Sequence, residues 1–462
     1  MSELRPLQGP DDPRLAELAD LHPVVDPEAL DAFAGDESVV APVRPGAAVE
    51  ARSVAQIQQA LAWASRHGVP VTPRGAATGK AGGCVPSPGG LVLALGGMNR
   101  ITAVHPEHGY AEVEPGVVTG AFRDAMEQEH RLFYPPDPAS LDTCTLGGNV
   151  ATNAGGPVAL KYGVTGRFVM GLTAVLPDGS VIETGRRQPK DVAGYDLTSL
   201  LVGSEGTLAV LAGVRLGLLP VPREIVTVLL EFARIDHAAR AVVDARGGGV
   251  LPRAMEFVGP TALARARVAR PGAFGIGDRC GALLLVELDG PEGTTAALLD
   301  RFLDGLSHPP LAVRHARTPA ERSTLWETRR QMSKLVKQGA AGWVSEDVAV
   351  PLGTIPSVIA RLQEIAEGHD VAIATYGHAG DGNLHVNVIW DAPEHAPRGH
   401  AATEDVMAHA VSVGGTITGE HGVGIAKRAW LPGQLGAPMI ALQRAIKRQW
   451  DPAGILNPGK VL

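Results

Sequence analysis

Three glycine-rich segments constrain this chain more than any other feature. PRGAATGKAGG (73–83), TLGGNVATNAGG (145–156) and VGSEGTLAVL (202–211) punctuate its first half. Glycine has no Cβ, so consecutive backbone N–H groups can turn towards one anion at positive φ with no side chain in the way. The order G-x-x-x-x-G-K-[ST] of a triphosphatase is missing, because Lys80 is followed by Ala81. A clean G-x-G-x-x-G opening a helix is missing too, which removes support for a Rossmann site. Any one segment alone is equally a plain glycine turn. Three in one domain point to a large dinucleotide held by backbone amides from several sides.

At 462 residues the chain is too long for one ordinary core, so two or three domains are expected. Apolar residues at 45% and charged residues at 19% describe a globular protein rather than a disordered one. Residues 1–35 read as a polar, partly helical N-terminal segment. From 36 to about 222 short strands and helices alternate: an amphipathic helix between Ser53 and Gly68, strands at 69–73 and 91–95, a helix at 121–130, and two strands around Asp178-Gly179. From 223 to 413 the units lengthen, with strands at 225–232, 282–288, 343–350 and in VAIATYGH and LHVNVIW, and helices at 294–306, 319–338 and 355–367. That order predicts an α+β fold whose second domain is an antiparallel sheet covered by helices on one face. Residues 414–462 form a last segment with a helix at 440–450.

The formal charge of −8 gives no support for nucleic-acid binding. Three cysteines, Cys84, Cys144 and Cys280, without paired spacing exclude a disulfide framework or an all-cysteine metal site. The opening MSELRPLQGPDDPRL lacks an apolar signal core, and no apolar run approaches the roughly 20 residues of a membrane span. The expectation is a soluble, cytoplasmic protein that meets membranes only through a partner.

GHAGDGNLHVN (377–387) sets His378 and His385 on either side of Asp381-Gly382, a hairpin turn that lets both imidazoles converge. TGEHGVG (418–424) adds Glu420 and His421 from a glycine-lined loop. Two histidines and a carboxylate suit Zn²⁺, Mn²⁺ or Fe²⁺ and leave positions open for substrate. The same histidines, taken alone, are equally hydrogen-bonded strand ends. LWETRRQMSK (325–334) carries Arg329 and Arg330 on a helix, a pair that forms either a fork for a carboxylate or a solvated cationic face.

Taken together, PRGAATG, DPASLDTCTLGGNVATNAGG, KYGVTG, LPDG, VGSEGTL, H-x-G-D-G-N-x-H, G-E-H-G and LNPGK resemble the vanillyl-alcohol-oxidase (PCMH) type of FAD flavoprotein. Within it, the resemblance is to the branch of D-lactate dehydrogenase, glycolate oxidase and D-2-hydroxyglutarate dehydrogenase, and it runs from about 36 to the C-terminus. It implies a two-part FAD-binding domain (36–222, with 414–462 returning to it) and an antiparallel-sheet cap, or substrate, domain (223–413). It places non-covalent FAD against Arg74, Gly75, Ala76, Ala77, Thr78 and Gly79, then Pro135, Asp137 and Ser140. From the second and third glycine segments it adds Thr145, Gly147, Gly148, Asn149, Thr152, Asn153, Ala154, Glu205, Gly206 and Val210, and from the tail Asn457. Ala77 stands where glycine is frequent in the family, and the first loop lacks the histidine through which some relatives attach flavin covalently.

The same resemblance makes His378, His385 and Glu420 the metal ligands, zinc before manganese or iron. His421 becomes the catalytic base and Arg329 the carboxylate anchor, with Arg330 in reserve and Asn387 and Tyr376 beside the substrate. The D-2-hydroxyglutarate enzymes carry a lysine where this chain has Ser345, which favours D-lactate or glycolate over a dicarboxylate. The expected reaction is oxidation of a D-2-hydroxy acid to the 2-oxo acid. An imidazole can take the hydroxyl proton and the flavin the hydride. Competing expectations are a D-2-hydroxyglutarate dehydrogenase, a flavin-binding electron-transfer subunit of a larger complex, and a transferase resembling the alkylglycerone-phosphate synthases. The electron acceptor is a quinone, a cytochrome, an electron-transferring flavoprotein or an iron–sulfur subunit, and a homodimer is compatible with the sequence.

Overall fold

A computed structural model describes residues 4–188 and 190–462; the first three residues of the expected N-terminal segment lie outside them. The chain divides into two compact units. Met1–Gly155, Val164–Val221 and Glu420–Leu462 form one, and Gly156–Gly163 with Pro222–Gly419 form the other. Sequence alone put the borders after 222 and 413 and did not foresee the short excursion 156–163. Among the described residues no helix is long and apolar enough to cross a membrane.

The first unit begins with a 3-10 helix, Pro13–Leu21, started by Asp12, whose side chain accepts the N–H of Arg14. A parallel three-stranded sheet follows, with Leu91–Ala94 between Ala47–Glu50 and Val71–Arg74. The crossover helix Val54–His67 is capped by Ser53 and stopped by Gly68 in the left-handed region. It buries Ile57, Ala60, Leu61, Trp63 and Ala64. Each large side chain so buried contributes about 1.5–3 kcal/mol. An antiparallel five-stranded sheet runs in the order Ile101–His105, Tyr110–Val113, Val210–Gly217, Val169–Val175, Val181–Gly185. Its last turn is the expected Asp178-Gly179: the Asp178 carboxylate accepts the N–H of Ser180 and Gly179 has φ +87°.

The C-terminal tail is part of this core. Leu456 forms a parallel bridge to Val71, and Ile455 and Leu456 are fully buried beside Leu61 and Leu91. Lys460 is buried as well, its ammonium donating to Gly83 O (2.8 Å) and Asn457 Oδ1 (2.7 Å).

In the second unit seven strands form one antiparallel sheet. Their order is Ala312–Ala316, Glu224–Phe232, Ala282–Gly290, Ala254–Val258, Ala372–His378, Asn383–Trp390, Gly342–Ala349. The expectation of helices on one face is corrected here. Ala254–Val258 is buried at every position and Ala282–Gly290 at all but its last, so both faces are covered. Leu229, Val258, Leu285, Ala374 and Tyr376 share a core with Leu263, Leu325, Met332 and Leu335 from the helices Pro260–Ala269, Pro319–Arg330 and Met332–Leu335. On the opposite face the helix Ala396–Ser412 comes so close that a methyl on Gly399 would lie 2.3 Å from the Trp390 ring. The helix expected over 319–338 is divided at Gln331, which redirects the chain so that Met332, Leu335 and Val336 enter the same core as Leu325.

Burial pulls the Lys460 ammonium down from 10.5 to about 8. The folded state therefore binds fewer protons than the unfolded chain between those values, and stability rises with pH across that window. Relative to Lys460→Met, the urea midpoint of the wild type should improve from pH 8 to pH 10.5; a difference that stays constant contradicts this.

Candidate functional site

In the first unit, Gly75 and Ala76 line a cleft of about 510 Å³ together with Gly96, Asn99, Gly116, Val118, Thr143 and Thr145. Gly75 is required sterically, since a methyl there would lie 2.6 Å from Thr145 Oγ1. The second glycine segment is not the open loop expected. Leu146–Thr152 is a short helix whose cap, Thr145, accepts the N–H of Gly148, and Gly147 packs against Pro115. Four non-glycine residues in the motif segments take the left-handed conformation: Ala77 (φ +56°), Asn153 (+54°), Glu205 (+51°) and Asn457 (+42°). Such residues carry about 1–2 kcal/mol of strain each, a reservoir concentrated where backbone amides must face a ligand.

Several side chains expected at the cofactor hydrogen-bond within the protein. Arg74 donates to Gly35 O and Ala32 O, Asn149 to Thr119 Oγ1, and Thr152 to Gly148 O. Asn153 accepts the N–H of Gly166 and Val210 lies fully inside the core. Asn457 donates to Glu205 O and accepts from Lys460. Pro135 is buried, and Asp137 and Ser140 are half-buried before the capped helix. Thr78 and Gly79 continue the first loop, Ala154 accepts the N–H of Thr165, and a methyl on Gly206 would lie 3.1 Å from Asn457 Nδ2.

Glu205 departs most from expectation. Its buried carboxylate accepts the backbone N–H groups of Val423 and Gly424, each at 2.8 Å, and burial pushes its carboxyl up. Its partners are more than two hundred residues away, so no local signal could have shown it.

In the second unit, His378 ends the strand Ala372–His378 and His385 lies in Asn383–Trp390. The register pairs Tyr376 with His385 and His378 with Asn383, so both imidazoles share one face. Their ring centroids are 5.2 Å apart at 80°. The connection is a single 3-10 turn, Ala379–Asp381, closed by Gly382 at φ +85°, where a methyl would lie 2.1 Å from Val350 O. One nitrogen from each histidine and one oxygen of Glu420 all lie within 4.8 Å of one another. Glu420 is one peptide bond beyond Gly419, whose N–H donates to the buried Asp347 carboxylate at 2.9 Å. The pair Glu420-His421 thus stands between two backbone stretches held by carboxylates, Gly419 by Asp347 and Val423-Gly424 by Glu205. His421 is half-buried.

Arg329 is buried, in contrast to the exposed Arg330, which pairs with Glu327. The Arg329 Nη2 lies 2.6 Å from Glu256 Oε2 as an ion pair, its guanidinium sits 5.1 Å from the centre of the Tyr376 ring, and its buried Nε has no hydrogen-bond partner among the described residues. Tyr376 therefore supports the arginine and is itself 5% exposed. Asn387 is fully buried, accepting from Ser345 Oγ at 2.6 Å and donating to Ala374 O. Glu256, fully buried between Arg329 and His378, was missed by sequence reasoning. Its signal was there, a lone acid in the apolar strand AMEFV.

The arrangement offers a cleft beside Gly75 in one unit and, from His378, His385 and Glu420, a donor set of two nitrogens and an acid. Residues 45–185 match the FAD binding domain family and residues 221–461 the C-terminal domain of the FAD linked oxidases. Glycolate oxidase subunit GlcD of Bacillus subtilis (strain 168) is 39% identical over 422 residues, 90% of this chain and 89% of that one. A D-lactate dehydrogenase of Anaerostipes hadrus is 31% identical over 462 residues, 97% of this chain and 96% of its own. Among solved structures, p-cresol methylhydroxylase with substrate bound superposes with a TM-score of 0.80 at 18% identity, covering 97% of this chain and 95% of that one.

Ala77 sits at positive φ, a region that glycine reaches without strain. Ala77→Gly should raise stability by about 0.5–1 kcal/mol, the relieved strain less the entropy of glycine. Urea unfolding measures it, and a lowered midpoint would show that the methyl is doing more than straining the turn.

Proposed function

This chain belongs to the FAD-linked oxidase family and is an FAD-linked oxidoreductase, and from that premise we propose that it oxidises a small D-2-hydroxy acid, D-lactate or glycolate, to the 2-oxo acid with the help of a divalent metal. The observation that carries the reading is the convergence of His378, His385 and Glu420 within 4.8 Å. Two imidazoles and one carboxylate match the donor preference of zinc and leave room for a substrate oxygen. The cleft beside Gly75, with its glycine and left-handed backbone, supports FAD held by amides.

Bound FAD would accept the hydride from Cα and a bound cation would polarise the hydroxyl, chemistry that the side chains alone do not supply. The protein's part is alignment and proton removal. Arg329 pairs with the substrate carboxylate, its charge tempered by Glu256 and its plane supported by Tyr376. His421 takes the hydroxyl proton. Its place in the chain is fixed by the amides on either side, so little motion is needed to present the ring. Ser345 supports a monocarboxylate: its hydroxyl is turned to Asn387, and no cation stands at that position for a second carboxylate. The relatives named glycolate oxidase and D-lactate dehydrogenase support the same substrate class. The electrons then leave to an acceptor partner, consistent with the word subunit in the name of the Bacillus relative.

Anaerobic titration with D-lactate, glycolate and D-2-hydroxyglutarate tests the reading. The first or second should bleach the flavin, and preference for the third would overturn the monocarboxylate assignment. His421→Ala should keep FAD bound while flavin reduction slows about 10²–10⁴-fold; wild-type reduction rates in that variant would remove His421 from the reaction.

A further inference from the structure

Glu256 does more than temper the charge of Arg329. It sits in the strand Ala254–Val258, paired in register with His378, and none of its surface is exposed. One oxygen lies 2.7 Å from His378 Nδ1 and the other 2.6 Å from Arg329 Nη2. Both partners are themselves buried. A buried carboxylate persists only where its charge is met by donors, and here an arginine and an imidazole meet it from two elements.

This geometry has two consequences. A carboxylate only accepts hydrogen bonds, so the proton of His378 must stay on Nδ1, which leaves the lone pair of Nε2 as the atom to bind a metal. The same carboxylate fixes the bearing of Arg329 on the Tyr376 ring, 5.1 Å from its centre. We propose that Glu256 is a positioning residue that sets the tautomer of His378 and the placement of Arg329 together. In this way it fixes the span between the point where a substrate hydroxyl is bound and the point where its carboxylate is bound. The inference rests on the metal reading above.

Glu256→Gln and Glu256→Ala separate orientation from charge. The glutamine amide oxygen can still accept from His378 Nδ1–H, but the amide group no longer pairs with the Arg329 cation. In metal-stripped, FAD-loaded protein titrated with Zn²⁺ against a chromophoric chelator, Glu256→Ala should weaken zinc binding about 10- to 100-fold and Glu256→Gln only a few-fold. Both should raise KM for D-lactate by about tenfold with a smaller change in kcat, since a misplaced Arg329 loses ground-state binding. Zinc affinity in Glu256→Ala equal to wild type overturns the proposal while leaving the metal reading standing. Equal loss in both variants also overturns it, because charge and not orientation would then be responsible. If the alanine variant fails to hold FAD, an unchanged KM in Glu256→Gln is decisive against the proposal. A wild-type protein that binds no zinc removes the metal reading first, and this inference with it.

Discussion

The antiparallel register between Ala372–His378 and Asn383–Trp390 is the constraint on which the candidate centre depends. Side chains alternate along a strand, so a slip of one residue would turn His385 to the opposite face and separate it from His378. Several features hold the register. Gly382 admits only glycine because of the Val350 carbonyl beside it, and a methyl on Gly377 would lie 2.4 Å from Asn383 O. Trp390 packs between Gly342 and Gly399, closing the far end of the same strand. Flanking strands extend the pairing, Glu256 opposite His378 and Asp347 opposite His385.

Three of the protein's buried carboxylates have different duties. Asp347 and Glu205 each hold backbone N–H groups, one just before Glu420-His421 and one just after. Glu256 faces an imidazole and a guanidinium instead. In a low-dielectric interior each group would be costly alone, and each is met by donors that fix its orientation. Polar residues inside the sheet thus restrain the segments that carry chemistry, while the leucines and valines on its faces supply most of the burial. In the first unit, left-handed backbone occurs at Ala77, Asn153, Glu205 and Asn457 in the motif segments, and also at His22, Arg131 and Val461.

Much of this was legible in the sequence, for physical reasons. The Asp-Gly turns fixed where strands reverse, and period-two runs such as LHVNVIW marked buried strands. The convergence of His378 with His385 followed from a turn between two strands. What escaped has long sequence separation or weak local pattern. Ala396–Ser412 was not recognised because its buried face carries only Val406 and Met407 as larger apolar residues beside Gly399, Ala402, Thr403 and Ala410, and a proline stands in its first turn. The short helix Leu146–Thr152 hid inside two glycines that argue against helix. Asn149, Glu205 and Asn457 looked like ligand contacts, yet their side chains close the protein on itself. Proximity to a functional segment does not say which way a side chain is engaged. Coverage of both faces of the second sheet was likewise invisible until Pro260–Ala269 and Pro319–Arg330 were seen packed against it.

The central claim is that His378, His385 and Glu420 hold a cation without which the hydroxyl is not oxidised. The direct measurement is the anaerobic rate of flavin reduction by D-lactate before chelation, after chelation with FAD retained, and after return of one equivalent of Zn²⁺ or Mn²⁺. The account expects the rate to collapse on chelation and to recover with a single metal ion per chain. Full-speed flavin reduction in metal-free protein would contradict it.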